Sequence, residues 1–515
     1  MRRGAERLAA AIAAREQTAV FGDYDVDGAT AAALLLRFLR SLGLRPKLYV
    51  PDRLREGYGP NALALRALAA AAVSLVITVD CGIGAHDALA DAAEGGLDVI
   101  VVDHHQASLP LPPAVAIIDP KRPDDRSGLD HLCAAGLAFL LIVDTNRLLR
   151  ASGYYAARPE PDLRQWLDLV ALGTVCDVVP LEGVNRAFVA QGLKIMARRG
   201  NAGLAAIADA AGLRRPPSAR DLGFAIGPRI NAGGRIGQAD LGARLLSCDD
   251  PAEAAPLAAR LHALNRERQE IEQSGVGSRG RRHSRRRCRK RTADLGHGRR
   301  MASRRRRHRR QPACRALPPA GGGGSDRGRA RHSVGTIGPR QDLGAAIGAA
   351  MAAGLLVKGG HAMAGGFTAE TRRLDQIRAF LNAHLVLDDA VAEGLRALPV
   401  DGVLSLAGAA ALPAAVLARL APFGAGHPEP RFLIPAVQIA HIRQAGNAHL
   451  CCGLLDGART RLPAIAFRCA DRPLGRGLIA HGGGLFHVTG RLQPCPGAGS
   501  SLQLVIDDAA PALCA

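Results

Sequence analysis

The chain has 515 residues, of which 48% are apolar and only 3% aromatic, so it is long enough for roughly two to four domains with cores of Ala, Leu, Val and Ile. No apolar run reaches the length of a membrane span, and eleven scattered cysteines without a C-x-x-C pair argue against a disulfide framework or a structural zinc. The net charge of +21 points toward nucleic acid, yet residues 279–331 hold 20 Arg and one Lys against Asp294 and Asp326, which is +19 of that total, so the charge describes one segment.

The opening, MRRGAERLAAAIAAREQ, has the basic start of a signal peptide. Its apolar stretch is short and alanine-rich, lacks a small-residue cleavage site and runs straight into an acidic motif, so it reads as an amphipathic helix of a cytoplasmic protein. From about residue 16 to 260, short apolar runs alternate with helical stretches. TAVFGD reads as a buried strand, ATAAALLLRFLRSLG as a helix ending at Gly43, and PKLYV, SLVITVD and LDVIVVD as three further strands. This alternation predicts an α/β domain whose parallel sheet is covered on both faces. Ligands of such sheets gather beyond the carboxyl ends of the strands. Asp23, Asp80 and Asp103 each stand at or just past such an end.

In DYDVDG, Asp23, Asp25 and Asp27 lie two apart, and in extended backbone they face the same way. Three carboxylates that close repel one another unless a cation joins them. Asp-x-Asp-x-Asp-Gly also opens an EF-hand, but Leu34 stands where that loop needs its bidentate Glu, and a strand precedes the motif. A haloacid-dehalogenase-type phosphatase would leave VVDHHQ unexplained, and a solvated acidic turn would leave the recurrence at strand ends unexplained. Asp103, His104 and His105 follow the fourth strand, and ALGTVCDVVPLEG adds Asp177, which reads as part of a Gly-Thr loop after a helix. Acidic clusters with imidazole describe a dinuclear site, and the mixed ligand set suits Mn²⁺ better than Mg²⁺. Two such ions can polarise a phosphate and activate water.

PAEAAPLAARLHALNRERQEIEQ, residues 251–273, reads as a long connecting helix. Residues 274–340 show neither helix nor strand period. A basic nucleic-acid-gripping arm, a solvated linker and a stretch translated out of frame are the three readings. The abrupt return of ordered sequence at DLGAAIGAAMAAGLLVKGGHAMAGGF favours the third. A helical stretch near 371–395 follows, and then RFLIPAVQIAHIR, HLCCGLL, LPAIAFR, LFHVTGRL and SLQLVIDDA, whose spacing suggests a small β-barrel.

DYDVDG, VDCG, DHH, GTVCDVVPL and GPRINAGGRIGQAD (227–240) occur in the order found in the DHH phosphoesterase superfamily, which the chain resembles over roughly 1–273 and 341–510. Within it, the likeness is to the 5′→3′ single-strand-specific DNA exonucleases. The resemblance implies a parallel-sheet DHH catalytic domain (1–250), a connecting helix (251–273), a smaller α/β DHH-associated domain of which 341–395 is a remnant, and an OB-fold-like nucleic-acid-binding domain (396–515). Residues 274–340 are the anomalous segment between them. It also implies two Mn²⁺ or Mg²⁺ ions, hydrolysis of single-stranded DNA to 5′-mononucleotides in repair and recombination, and work beside a helicase and a single-strand-binding protein, away from membranes.

Carried over by motif, Asp23, Asp25, Asp27, Asp80, Asp103, His104 and Asp177 form the metal site, with Asp80 as a bridge. His105, Asp80 and Asp103 are the catalytic set, His105 steadying the scissile phosphate or supporting a ligand. Arg229, Asn231 and Arg235 offer donors to phosphate oxygens, beside glycines that let backbone approach closely; Arg53 resembles the contact to the 5′ end, and His361 the glycine-rich motif of the associated domain. The family's Trp-His-Pro-Gly-like segment and Gly-Ser-Gly-Arg-Ser-like phosphate loop should fall within 274–340, where they are absent, and the only Trp is Trp166. Twenty-two residues ahead of the first motif Asp is a short lead, which suggests a missing N-terminal piece. In the barrel, Phe432, Phe467 and Phe486 with Arg443, Arg459 and Arg468 are the stacking and phosphate candidates, each phenylalanine equally suited to the barrel core. The competing functions are a DHH oligoribonuclease or nucleotide phosphatase, and a catalytically impaired nucleic-acid-binding product of a frameshifted gene.

Overall fold

The computed structural model describes all residues except 54, 237, 292–328, 335–342, 357, 360–364, 371–372, 385–396, 447, 481–482, 496–500 and 513–515. Five parallel strands, β1 (Thr18–Gly22), β2 (Lys47–Tyr49), β3 (Leu75–Val79), β4 (Asp98–Val102) and β5 (Ala116–Ile118), form one sheet in the order β2-β1-β3-β4-β5. β1 and β3 are buried at every position, as strands covered on both faces require. One face packs on Ala64, Leu65, Leu68 and Leu89 of α3 (Ala62–Ala70) and α4 (His86–Glu94). The other carries the main core, led by α1 (Arg2–Ala13), α2 (Val26–Ser41), α5 (Ala134–Ala151) and α6 (Leu167–Cys176). The α1 helix seats Leu8 and Ile12 in that core, while Arg7 pairs with Glu16 and Asp98.

Two expectations are corrected here. The sheet has a fifth strand, β5, which is only three residues long and preceded by a proline-rich stretch, too little pattern for a period to register. Gly173 and Thr174 lie inside α6 rather than in a loop. At Gly173 the helix backbone comes so close to its neighbours that a Cβ would stand 2.5 Å from Thr30 Oγ1 and 2.7 Å from Ala135 Cβ.

Beyond α7 (Gly183–Met196) and α8 (Ala202–Ala210), a long helix spans Pro251–Arg291. It continues past 273 into the basic stretch read as aperiodic, because Arg and Lys sustain a helix without an apolar face. The unit Arg266–Ala397 contains an antiparallel sheet of β6 (Arg329–Val334), β7 (Lys358–Gly359) and β8 (Gly365–Glu370) in the order β6-β8-β7. Helices Leu343–Ala352 and Leu374–His384 share a small core through Ile347, Leu356 and Ile377.

The last part of the chain is a five-stranded barrel with a short added strand. β9 (Gly402–Val403) pairs with β10 (Arg431–Ala445), which pairs with both β11 (His449–Leu455) and β13 (Leu485–Pro494). β12 (Arg461–Ala466) joins β11 to β14 (Leu502–Pro511), and the β13–β14 pairing closes the ring. Ile434, Leu454, Val488 and Leu504 fill it. This part packs with Met1–Asn265 in one compact unit.

Candidate metal centre

Four strands of the central sheet deliver a carboxylate at the carboxyl end. Asp23 follows β1, Asp80 follows β3, Asp103 follows β4 and Asp119 follows β5. Burial leaves these four residues 5%, 3%, 1% and 2% exposed. Asp80 has φ 60°, a left-handed backbone that Asp tolerates better than most residues and that turns the chain sharply at the strand tip.

The DYDVDG segment does not stay extended. α2 begins at Val26, so Asp25 caps the helix by accepting from Gly28 N at 3.0 Å, and Asp27 lies in its first turn. The triplet therefore splits. Asp23 and Asp25 come together with Asp80, while Asp27 joins His104 and Asp177. A third group is Asp80, His104 and His105, and in each triad the donor atoms lie within 4.8 Å of one another. Asp80 and His104 each belong to two groups. His104 Nε2 stands 3.2 Å from Asp80 Oδ1 and 3.7 Å from Asp27 Oδ2, and its Nδ1 stands 3.7 Å from Asp177 Oδ2.

Asp103 is engaged differently. Its Oδ1 accepts from the backbone N of His104 and His105, its Oδ2 from Ile83 N, and His105 Nδ1 lies 2.6 Å from Oδ1. Burial pushes the Asp103 pKa up, but the His105 hydrogen bond and charge outweigh it and hold the group below the usual carboxylate range. His105 shows the reciprocal balance: burial opposes its charge, and Asp103 raises its pKa nonetheless. Asp103 thus fixes a ring rather than joining a triad.

The remaining acids are in conflict. Burial, then the charge of Asp25, pushes Asp27 up to about 6 even though Ala134 N and Ala135 N donate to it. Burial, then Asp27 and Asp25, pushes Asp177 to about 8. Asp23 and Asp80 are raised well above the normal range, by burial first and by their neighbours' charges second. Asp23 Oδ1 and Asp80 Oδ1 are buried and accept no hydrogen bond among the described residues. Burying several carboxylates this way is costly unless cations lie among them, and oxygen donors mixed with imidazole suit a divalent ion. The residues fit such a site.

The GPRINAGGRIGQAD segment is largely helical. Gly227–Ile236 is an α-helix, and at Gly234 its backbone lies against Tyr24, where a Cβ would meet the ring's Cγ at 2.9 Å. Asn231 Oδ1 accepts from Val26 N, which secures the start of α2, and Arg229 donates to Ala225 O and His262 Nδ1. Arg235 is exposed. Arg53 lies 5.2 Å over the Tyr24 ring. His361 lies outside the described residues. Of the barrel phenylalanines, Phe467 is exposed, Phe432 is partly covered and Phe486 is in the core.

Sequence reasoning missed two residues. Asp119 belongs to none of the triads but lies at the same sheet edge, with Oδ1 on Lys121 N and burial pushing its pKa to about 7. The apolar triplet before it was the available signal. Tyr58, flanked by glycines, donates to Asp80 O at 2.7 Å and reaches His105 Nδ1 at 3.2 Å.

Residues 17–174 match the DHH family, N-terminal domain, and residues 400–508 match the RecJ OB domain. The single-stranded-DNA-specific exonuclease RecJ of Dickeya dadantii (strain 3937) is 37% identical over 476 residues, covering 86% of this chain and 79% of that protein. The crystal structure of RecJ from Thermus thermophilus in complex with Mn²⁺ aligns with a TM-score of 0.70 at 27% identity, over 99% of this chain and 71% of that one. The Mg²⁺ complex from the same organism aligns with a TM-score of 0.64 at 25% identity, over 99% and 69%. Domain content, likeness over most of the relative's length and the crowded strand tips agree: the chain belongs to the RecJ family of the DHH superfamily.

Proposed function

We propose that the protein is a divalent-metal-dependent exonuclease that hydrolyses single-stranded DNA from the 5′ end to 5′-mononucleotides, in repair and recombination. The observation that carries this reading is the meeting of three metal-capable triads at the carboxyl edge of one parallel sheet. Bound divalent ions there supply Lewis acidity, polarising the scissile phosphate and making attack by water feasible near neutral pH.

The chain's own part is to hold, orient and neutralise. Asp23 and Asp25 would hold one ion and Asp27, His104 and Asp177 the other, with Asp80, which belongs to the first group and lies 3.2 Å from His104, available to either. His105, held by Asp103 and 4.0 Å from Asp80, places its ring where it can steady the reacting phosphate. Asp103 acts through that ring. Arg53 and Arg235 are exposed and suited to the DNA backbone, whereas the bonds of Arg229 and Asn231 assign them to bracing the site.

We assign 1–250 to the catalytic domain, 251–273 to the connector, 341–395 to the associated-domain remnant and 396–515 to the OB-like domain. Residues 274–340 we assign to a frameshifted stretch. Resequencing codons 270–345 tests this, and an uninterrupted frame refutes it. No helix among the described residues is long and apolar enough to cross a membrane. We place the protein in the cytoplasm beside a helicase and a single-strand-binding protein. Cell fractionation, and stimulation of digestion of a tailed duplex by added helicase, check those two assignments.

The decisive test uses Asp80→Asn, which keeps a residue tolerant of φ 60°. Its turnover of 5′-phosphorylated single-stranded DNA in Mn²⁺ should vanish, and wild-type rates would refute the assignment. Wild type should prefer that substrate to duplex DNA and to short RNA; a preference for short RNA would favour an oligoribonuclease.

A further inference from the structure

Asp177 stands at the end of α6, and the chain between it and α7 is gripped from outside the catalytic domain. Four residues on, Leu181 is 2% exposed, and its backbone N donates to Ala425 O at 2.7 Å. Ala425 belongs to the segment Leu420–His427 that leads into the barrel. Arg186, in the first turn of α7, reaches the same segment: Nη2 donates to Leu420 O at 2.7 Å and Nη1 to Pro422 O at 3.2 Å. The segment is braced internally. Gly424 and His427 exchange backbone hydrogen bonds, and the His427 ring stacks on Phe423 at 5.6 Å. Contact is tight at Gly424, where a Cβ would fall 2.7 Å from Leu181 Cδ1.

The geometry points to Leu420–His427 as a positioning element for Asp177: by clamping Leu181 and Arg186, the entrance to the nucleic-acid-binding barrel holds the Asp177 carboxylate at the metal centre. This rests on the reading of Asp177 as a metal ligand. Two features support it. Asp177 has no strand behind it, unlike Asp23, Asp80 and Asp103: its backbone N donates to Gly173 O at 2.9 Å as the cap of α6, and the connection that follows is its second restraint. Val178, the next residue, is 70% exposed with φ 61°, so its side chain is no anchor, although its backbone N donates back to Val175 O at 3.3 Å. The anchors are Leu181, which sits in the main core with its backbone N on Ala425 O, and Asn185, whose Nδ2 donates to Pro180 O at 3.0 Å. A loop that holds a ligand through its neighbours changes metal affinity without touching the metal.

The test is an Mn²⁺ titration of the full chain, with free Mn²⁺ followed by electron paramagnetic resonance. Gly424→Val drives a side chain into Leu181 and should weaken one of two bound ions by about 10-fold while leaving the other unchanged. Arg186→Ala should weaken the same ion, with Arg186→Lys restoring part of the affinity. Gly477→Ala is the control, since nothing lies within 4 Å of its added Cβ. At saturating Mn²⁺, kcat on single-stranded DNA should recover while KM stays at its wild-type value. Unchanged Mn²⁺ isotherms in the Gly424 and Arg186 variants, or a raised KM with normal Mn²⁺ binding, would make the segment a mere tether and overturn the inference. Should Gly424→Val fail to fold, the Arg186 pair decides. A wild-type chain that binds no Mn²⁺ would instead overturn the metal-centre reading.

Discussion

The carboxyl edge of the sheet and the wall of the barrel both take charge out of water, and they manage it in opposite ways. In the barrel, Asp507 accepts from Arg431 Nε at 2.9 Å and Arg491 Nη2 at 2.8 Å, and Arg431 also donates to Pro399 O. Negative charge there meets positive charge supplied by the same chain. At the sheet edge, Asp27, Asp80 and Asp177 have only imidazole within ion-pair distance among the described residues, and burial, then the charges of Asp25 and Asp27, raise the pKa of Asp80. In the barrel wall the chain itself neutralises the Asp507 carboxylate. The sheet edge has no such cationic side chain within ion-pair distance among the described residues, which is the arrangement the proposed metal centre calls for.

The sharpest break in this comparison comes from removing one charge on each side. Asp80→Asn should lower kcat by at least ~10³-fold. The same substitution should stabilise the metal-free protein by about 1–3 kcal/mol, because it removes a buried carboxyl that must either hold a charge its neighbours repel or take up a proton to fold. Urea unfolding in EDTA measures this, and a less stable variant would mean that the metal-free site is not strained.

Acidity and metal should act on the same groups. Asp27 and Asp177 are raised to about 6 and about 8, above the ordinary Asp value near 4, so between those limits the folded metal-free chain binds more protons than the unfolded one. Its stability should therefore fall as pH rises from about 5 to about 8. Mn²⁺ requires the deprotonated acids, so saturating Mn²⁺ should reverse the trend and add about 4 kcal/mol per site at a thousandfold excess over Kd. Melting curves at several pH values, with EDTA and with Mn²⁺, check both halves. A flat profile in EDTA would contradict the assigned repulsion.

The barrel should respond in the ordinary sense. Asp507→Asn weakens two charge-assisted hydrogen bonds and should cost about 2 kcal/mol of stability. Mn²⁺ affinity should be unchanged, and a stabilised variant would erase the contrast between the two regions.

How much of this could be read from the residues differs between the same two regions. Asp23, Asp80 and Asp103 were legible because a fully buried strand is a short apolar run, and an acid directly after it has few structural reasons to exist. The barrel strands were legible from short strand-like runs split by Gly and Pro at regular spacing. Asp119 was not, because a three-residue strand leaves no period to detect. The helix Gly227–Ile236 was also hidden: with four glycines in or beside it, local propensity speaks against a helix, and packing on Tyr24 and Leu261 decides for it. The division of Asp23, Asp25 and Asp27 between two triads followed from where α2 begins, a boundary that sequence pattern fixes poorly.

The smallest expected effect lies on the barrel surface. Phe467 is 47% exposed and meets His449 edge-on at 5.2 Å, while Arg468 N donates to His449 Nδ1, so ring and basic residue are held at one place. Phe486, 3% exposed, and Phe432, packed against the same core, have no comparable face to offer a base. One base stacked on one ring is worth about 1 kcal/mol at the low end, so Phe467→Ala should raise KM for single-stranded DNA about fivefold. Its kcat and melting temperature should stay near wild type, because the ring supports no core. Phe486→Ala should do the reverse, losing stability before it loses binding. If Phe467→Ala leaves KM unchanged across chain lengths that reach the barrel, the barrel holds DNA by charge alone, and the contrast between its self-sufficient interior and a substrate-reading surface fails at that point.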